Sequence, residues 1–210
     1  LSMLALGQNS FGWRFSSAIF GVLVVFLTAK LLQELFANKT TALLAALLVS
    51  LDGLTLTMSR IAMNDIHVTA FILLSLVFYV QYRNSARTKT ALIIAAGCSA
   101  GLAVGSKWSG VFSIVIIGFS EGIYWLQHLF TGKTKHFSQK LWGLATQLPL
   151  LFISLLFIPA VLYLASYGHM FSLGKDFNHL VEMHKNTWWY QTNLTATHPA
   201  QSTPYQWFLN

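Results

Sequence analysis

LDGLTLTMSRIAMNDIH, residues 51–67, is a polar stretch set directly between two apolar runs. Asp52, Arg60 and Asp65 lie in it, and no linker carries them away from the hydrophobic segments. A charge at the edge of a membrane span is costly unless it is paired, solvated in a cavity or put to use. The stretch therefore marks a candidate site for an anionic ligand, and the flanking runs are its scaffold.

Those runs set the fold class. Of 210 residues, 55% are hydrophobic and 9% charged, far below the charged fraction of about 25% in soluble domains. The pattern predicts an all-α polytopic membrane protein. Six segments approach or exceed the length that spans a bilayer, at 15–36, 40–57, 66–82, 90–105, 108–129 and 141–167. The segment at 90–105 is short and rich in Gly and Ala, so it is expected inside the bundle, where small residues let helices approach closely. Beta-barrel strands would alternate and be about half as long. The expected organisation is a membrane bundle over 1–167 and an external aromatic-rich loop over 168–210.

Orientation comes from the loops. Lys30 with Lys39, then Arg83, Arg87 and Lys89, then Lys133, Lys135 and Lys140 all fall on one side if every segment spans. The positive-inside rule makes that side cytoplasmic, and this accounts for the formal net charge of +7 without nucleic acid. Arg14, the turn after Ser59, Lys107–Trp108 and the tail from Gly168 then collect on the outer face. The tail between Phe177 and Trp207 is too polar to span, and its Trp and Tyr residues suit a membrane–water interface. Cys98, alone in a Gly/Ala-rich run, is a packing residue that has no partner for an intrachain disulfide. No signal peptide is visible, and the chain reads as part of a longer protein.

Arg60 is the first candidate for chemistry, because its guanidinium matches a phosphate bidentately. The plainer alternative is a structural pair with Asp65 or Asp52. Asp65 is placed to orient Arg60, accept a proton or cap the following helix; Asp52, before Gly53, also fits a simple turn. Lys107 is a compact charge suited to phosphate, next to a Trp that stacks on a sugar or anchors at the interface. Arg14 is a similar case or a flank of the first span. His184 and His198 lack further ligands at a familiar metal spacing and suit hydrogen bonds to a substrate, so no metal or other cofactor is expected.

Four blocks together carry a resemblance: GWRFSSAIFG at 12–21, LDGL with SRIAMND at 51–65, GSKWSG at 105–110, and HPAQSTPYQW at 198–207. In this order and spacing the chain resembles the protein O-mannosyltransferases, the bacterial polyprenyl-phosphate-mannose type above all. Ala200 departs from the pattern, which has an aromatic there. The resemblance implies a GT-C glycosyltransferase bundle in the cell membrane. It implies a polyprenyl-phosphate-mannose donor, a Ser/Thr hydroxyl of an exported protein as acceptor, inversion at the anomeric carbon and an active site on the extracytoplasmic side. Arg60, Lys107 and Arg14 would hold the donor phosphate, supported by Asp65 and Asp52. His184, His198, Tyr205 and Trp207 would cover the sugar and receive the acceptor, and membrane lipids would surround the whole. The family's acidic base lies in an external loop expected before Leu1, so the catalytic residue is unknown from this chain. The rival readings are a GT-C transferase acting on a glycolipid or glycan, a multi-pass transporter and a non-catalytic membrane scaffold.

Overall fold

In a computed structural model, residues 2–85, 89–130 and 137–195 are described. They form helices, with no strand among them. They fall into two units, Leu1–Ser166 and Tyr167–Asn210.

The first unit opens with the short α1 (Ser2–Leu6), then α2 (Ser10–Phe36), whose N-terminus is capped when the Asn9 side chain accepts from Gly12 N–H. α3 (Lys39–Leu51) starts the same way, with Asn38 accepting from Thr40 and Thr41. The next elements are α4 (Gly53–Arg60), α5 (Asp65–Asn84), α6 (Lys89–Ser106), a 3-10 turn (Trp108–Gly110) and α7 (Val111–Phe130). α8 (Phe137–Phe152), a π turn (Ile153–Phe157) and α9 (Ile158–Ser166) close the unit. Among the described residues five helical stretches are long and apolar enough to cross a membrane: Ser10–Phe36, Asp65–Asn84, Lys89–Ser106, Trp108–Phe130 and Phe137–Ser166.

The segment expected to span at 40–57 is not one continuous helix but two, α3 and α4, bent by 62° at Asp52; taken together they are long and apolar enough to count as a sixth, broken span. The cause is local. Asp52 takes an extended backbone, and its carboxylate accepts the Thr55 N–H at 2.7 Å, so it starts a new helix instead of continuing the old one. What was expected as a turn from Ser59 is helical to Arg60, and only residues 61–64 turn.

α5 lies at the centre of the unit. One face packs Ile66, Ala70 and Val77 against Val24 and Leu27 of α2. The other packs Tyr79 and Tyr82 against Ile93 of α6, Ile117 of α7 and Leu155 of the π turn. α6 is buried along its small residues Ala96, Gly97, Ser99, Ala100, Gly101 and Ala103, as its composition predicts. Ser75 of α5 donates to the Ala96 carbonyl at 2.8 Å across this crossing. On its other side α6 meets the π turn: a Cβ on Gly97 would collide with the Ser154 carbonyl. The π turn has a covalent logic. Pro159 has no N–H to return to Leu155, and the Ile158 N–H bonds to Ile153 instead, one residue further than in an α-helix. The outward faces remain apolar, with Phe26, Leu48 and Phe119 exposed, as expected of helices solvated by lipid rather than water.

The second unit holds α10 (Gly168–Ser172) and α11 (Phe177–Asn193). Asp176 caps α11 by accepting the His179 N–H at 2.9 Å. α11 exposes Trp188, Trp189 and Tyr190 in succession.

Candidate functional site

The alternation of helix directions brings the starts of α2, α5 and α7 to one end of the bundle, with the ends of α4, α6 and α9. Asp65 is the first residue of α5 and does not cap it; Asn64 holds the cap position, without a side-chain bond. The Asp65 carboxylate instead meets Lys107 Nζ at 2.5 Å, 42 residues away. The pair is open to solvent, with side chains 50% exposed for Lys107 and 34% for Asp65. Its direct energetic worth is therefore small, about 0–1 kcal/mol, but it ties the end of α6 to the start of α5. Beside it, Trp108 Nε1 donates to the Tyr163 hydroxyl of α9 at 2.8 Å.

Arg60 ends α4 and is exposed. Among the described residues it makes no ion pair, so Asp65 and Asp52 are not its partners: the first goes to Lys107 and the second to the start of α4. α4 is held close to α2, where a Cβ on Gly21 would come within 2.5 Å of Ser59 Cβ. Arg14 lines a cleft of about 570 Å³ with Trp13, Asn9 and the turn residues Ile61 and Ala62 that follow Arg60. Three cations thus share this end of the bundle, one of them engaged by a carboxylate.

A larger cavity of about 750 Å³ lies alongside. Phe15, Ile19, Phe20 and Phe71 supply its apolar wall, and Ser16, Asn64, His67 and Ser106 its polar points. Asn64 and Ser106 are the direct neighbours of Asp65 and Lys107, so the ion pair stands at the cavity's edge. His67 has no role in the sequence reading and is the residue that reading missed. Its Nδ1 is 3.3 Å from the Met63 carbonyl, which only a protonated nitrogen can approach as a donor. Nε2 is then the acceptor for the Ser16 hydroxyl at 2.6 Å in the neutral ring. The ring packs on Phe20, with centroids 4.3 Å apart. The Ser16–His67 contact joins residues 51 apart, so no spacing in the sequence announces it.

In the second unit His184 is engaged: Nδ1 donates to the Leu180 carbonyl at 2.7 Å, and the ring lies 5.6 Å from that of Tyr167. His198, Tyr205 and Trp207 lie outside the described residues, as do Arg87, Lys133 and Lys135. Among the described residues no three His, Cys, Asp or Glu side chains come together as metal ligands would.

The end of the bundle therefore offers cations on a polar rim beside a largely apolar cavity. Residues 4–173 match the family described as dolichyl-phosphate-mannose-protein mannosyltransferase. The chain is also similar to proteins named polyprenol-phosphate-mannose–protein mannosyltransferase. The one from Mycolicibacterium smegmatis is 25% identical, over 96% of this chain and 48% of the relative. Those from Corynebacterium glutamicum (25% identical, 79% and 36%) and Mycobacterium tuberculosis (27%, 53% and 26%) match shorter portions. The chain spans about half or less of the length of these relatives. No solved structure matches it.

Proposed function

We propose that this chain, which belongs to the dolichyl-phosphate-mannose-protein mannosyltransferase family, is part of an enzyme that moves mannose from a polyprenyl-phosphate donor to Ser or Thr hydroxyls of exported proteins. The observation that carries the reading is the cationic rim beside the apolar cavity: Lys107 at Asp65, with Arg60 and Arg14 nearby. A donor of this class has the same two halves, an isoprenoid tail and a phosphate.

In this reading the tail enters from the membrane along the apolar wall, and Arg60 and Lys107 face the phosphate. The bond between the anomeric carbon and the phosphate oxygen breaks, its electron pair leaving with polyprenyl phosphate. The acceptor oxygen bonds to the same carbon from the opposite face, inverting it, and the hydroxyl proton passes to a carboxylate base. Cations fixed where phosphate charge accumulates stabilise the transition state more than the ground state. We assign the base to no acidic residue of this chain, since Asp65 is held by Lys107 and Asp52 starts α4. His184, His198, Tyr205 and Trp207 are assigned to the sugar and acceptor.

The site is proposed to face the extracytoplasmic side of the cell membrane. Support comes from the opposite end of the bundle, which carries Lys30, Lys39, Arg83, Lys89 and Lys140, the bias expected of a cytoplasmic surface.

The test uses the full-length protein in membranes, with polyprenyl-phosphate-linked radiolabelled mannose and a Ser/Thr-rich peptide. Label should reach the peptide and be lost in Arg60→Ala and in Lys107→Ala. Near-normal transfer by both variants would sink the phosphate assignment. Label entering glycolipid or glycan in place of peptide would retain the donor site and change the acceptor.

A further inference from the structure

In the cavity of about 750 Å³ beside the Lys107–Asp65 pair, the helices fix the direction of hydrogen bonding at the polar points. His67 decides the first of them. Its Nδ1–H donates to the Met63 carbonyl, so in the neutral ring Nε2 is an acceptor, and the Ser16 hydroxyl donates to it at 2.6 Å. Phe20 backs the imidazole, with centroids 4.3 Å apart, and Phe71 stands edge-on to Phe20. A serine within a helix often returns its proton to the carbonyl four residues earlier. Ser16 sends its proton across to α5 instead, while Ser106, the last residue of α6, donates to the Leu102 carbonyl at 2.8 Å.

A hydroxyl has one proton to give and two lone pairs with which to accept. Ser16 and Ser106 both line the cavity with their protons committed to protein partners, so toward a ligand each is an acceptor. Asn64, a further polar lining residue, makes no cap hydrogen bond with its side chain. Phe15, Phe20 and Phe71 supply aromatic walls to the same cavity.

This pattern selects among ligands. A phosphate or carboxylate offers acceptors only, and meets acceptors at both serines. An isoprenoid chain suits the phenyl walls and offers the serine oxygens nothing. The lining holds no carboxylate to pair an ammonium. A single Ser or Thr hydroxyl answers one of the two oxygens. A sugar ring supplies both halves, O–H donors around its edge and C–H groups on its faces, in a pocket that is mostly apolar with a few placed polar groups. We infer that this cavity seats the sugar ring of the lipid-linked donor, and that His67 is a positioning residue which holds Ser16 as the acceptor for one ring hydroxyl. The inference rests on the transferase reading and adds to it the place of the sugar and the residues that read it. With the phosphate at the Lys107 edge, the ring turns to the polar points and the tail follows the apolar wall.

The test measures binding to the full-length protein in membranes, without acceptor peptide. Competitors of radiolabelled polyprenyl-phosphate mannose are the unlabelled parent lipid, its mono-deoxy and mono-fluoro analogues at each ring position, and polyprenyl phosphate without sugar. One deoxy analogue should bind about two- to tenfold more weakly than the parent, the worth of one hydrogen bond. Its fluoro counterpart should be equally weak, because fluorine cannot donate. Ser16→Ala should weaken the parent by the same factor and leave that deoxy analogue unchanged. His67→Phe should repeat this result, and His67→Gln, whose amide oxygen can take the Ser16 proton, should restore the parent. Sugar-free polyprenyl phosphate should bind the wild type and every variant alike. If all analogues bind the wild type as the parent does, or Ser16→Ala weakens the parent and the sugar-free lipid equally, the sugar is not read here and the inference falls while the donor reading stands. A fluoro analogue that binds like the parent, or His67→Gln as weak as His67→Phe, removes the role given to His67. If neither lipid binds the wild type, the donor reading fails and the inference with it.

Discussion

Gly21→Ala tests whether the position of α4, and with it Arg60, sets the rate of the proposed mannosyl transfer. A Cβ at residue 21 would lie 2.5 Å from Ser59 Cβ and 3.4 Å from its hydroxyl oxygen. Carbon atoms rest at about 3.5–4.0 Å, so α4 must retreat by about 1 Å. Ser59 directly precedes Arg60, and the guanidinium moves with it. Overpacking of this kind costs about 1–3 kcal/mol of stability. A displacement of about 1 Å of a positioned group costs up to 10²-fold in rate. The assay is mannosyl transfer to peptide by the full-length enzyme, with thermal unfolding measured in parallel. Two companion variants make the result specific. Gly53→Ala starts the same helix, but its Cβ meets nothing within 4 Å, and it should leave transfer unchanged. Gly21→Ala combined with Ser59→Gly removes the clashing atoms; the next contact, Ser59 Cα, lies at an ordinary 3.7 Å, so activity should return. If Gly21→Ala transfers mannose at the normal rate, or the double variant is no better than the single, then the placement of α4 does not govern the reaction.

Three further outcomes follow from particular contacts. Asp65→Ala should cost at most about 1 kcal/mol of stability, because the pair with Lys107 is half exposed, whereas Lys107→Ala should lower transfer by more than tenfold; equal effects of the two on rate would argue for a purely structural pair. Arg83→Ala leaves Glu121 buried without its cation and should destabilise the bundle by about 3–5 kcal/mol in detergent unfolding; a loss below 1 kcal/mol would place Glu121 in a wetter setting than its burial indicates. The His179 N–H, bonded to Asp176, holds that carboxyl below its ordinary value of 3.8. A depressed folded value contributes stability above the unfolded one and loses it as pH falls through the lower folded value. Hydrogen-exchange protection at the start of α11 should therefore be constant near neutrality and fall below about pH 4, and Asp176→Ala should remove that dependence.

Much of this molecule was legible before any coordinates. The apolar runs specify helices because a chain in lipid must satisfy its own backbone hydrogen bonds, and helices do so locally. The Gly/Ala composition of 90–105 already places that segment inside the bundle, since residues without bulk can be surrounded closely. The order of helices with short connections carries Arg14, Arg60, Asp65 and Lys107 to one end by parity alone, and four sequence blocks in register named the family.

What remained to the tertiary structure was pairing. Asp65 has Arg60 five residues before it, yet its partner is Lys107, because the crossing of α5 and α6 sets the ends of those helices together. His67 and Ser16 meet only once α2 lies against α5. Glu121 sits unremarked in an apolar run until the fold buries it against Arg83. Even the break at Asp52 depends on a competition the residue type leaves open: an Asp in an apolar run can ride a helix edge or cap a new one, and here the cap prevails. Periodicity and composition are local properties and are read along the chain; ion pairs, cavities and hydrogen bonds between helices depend on distances between residues far apart in it, and only the packed helices fix those distances.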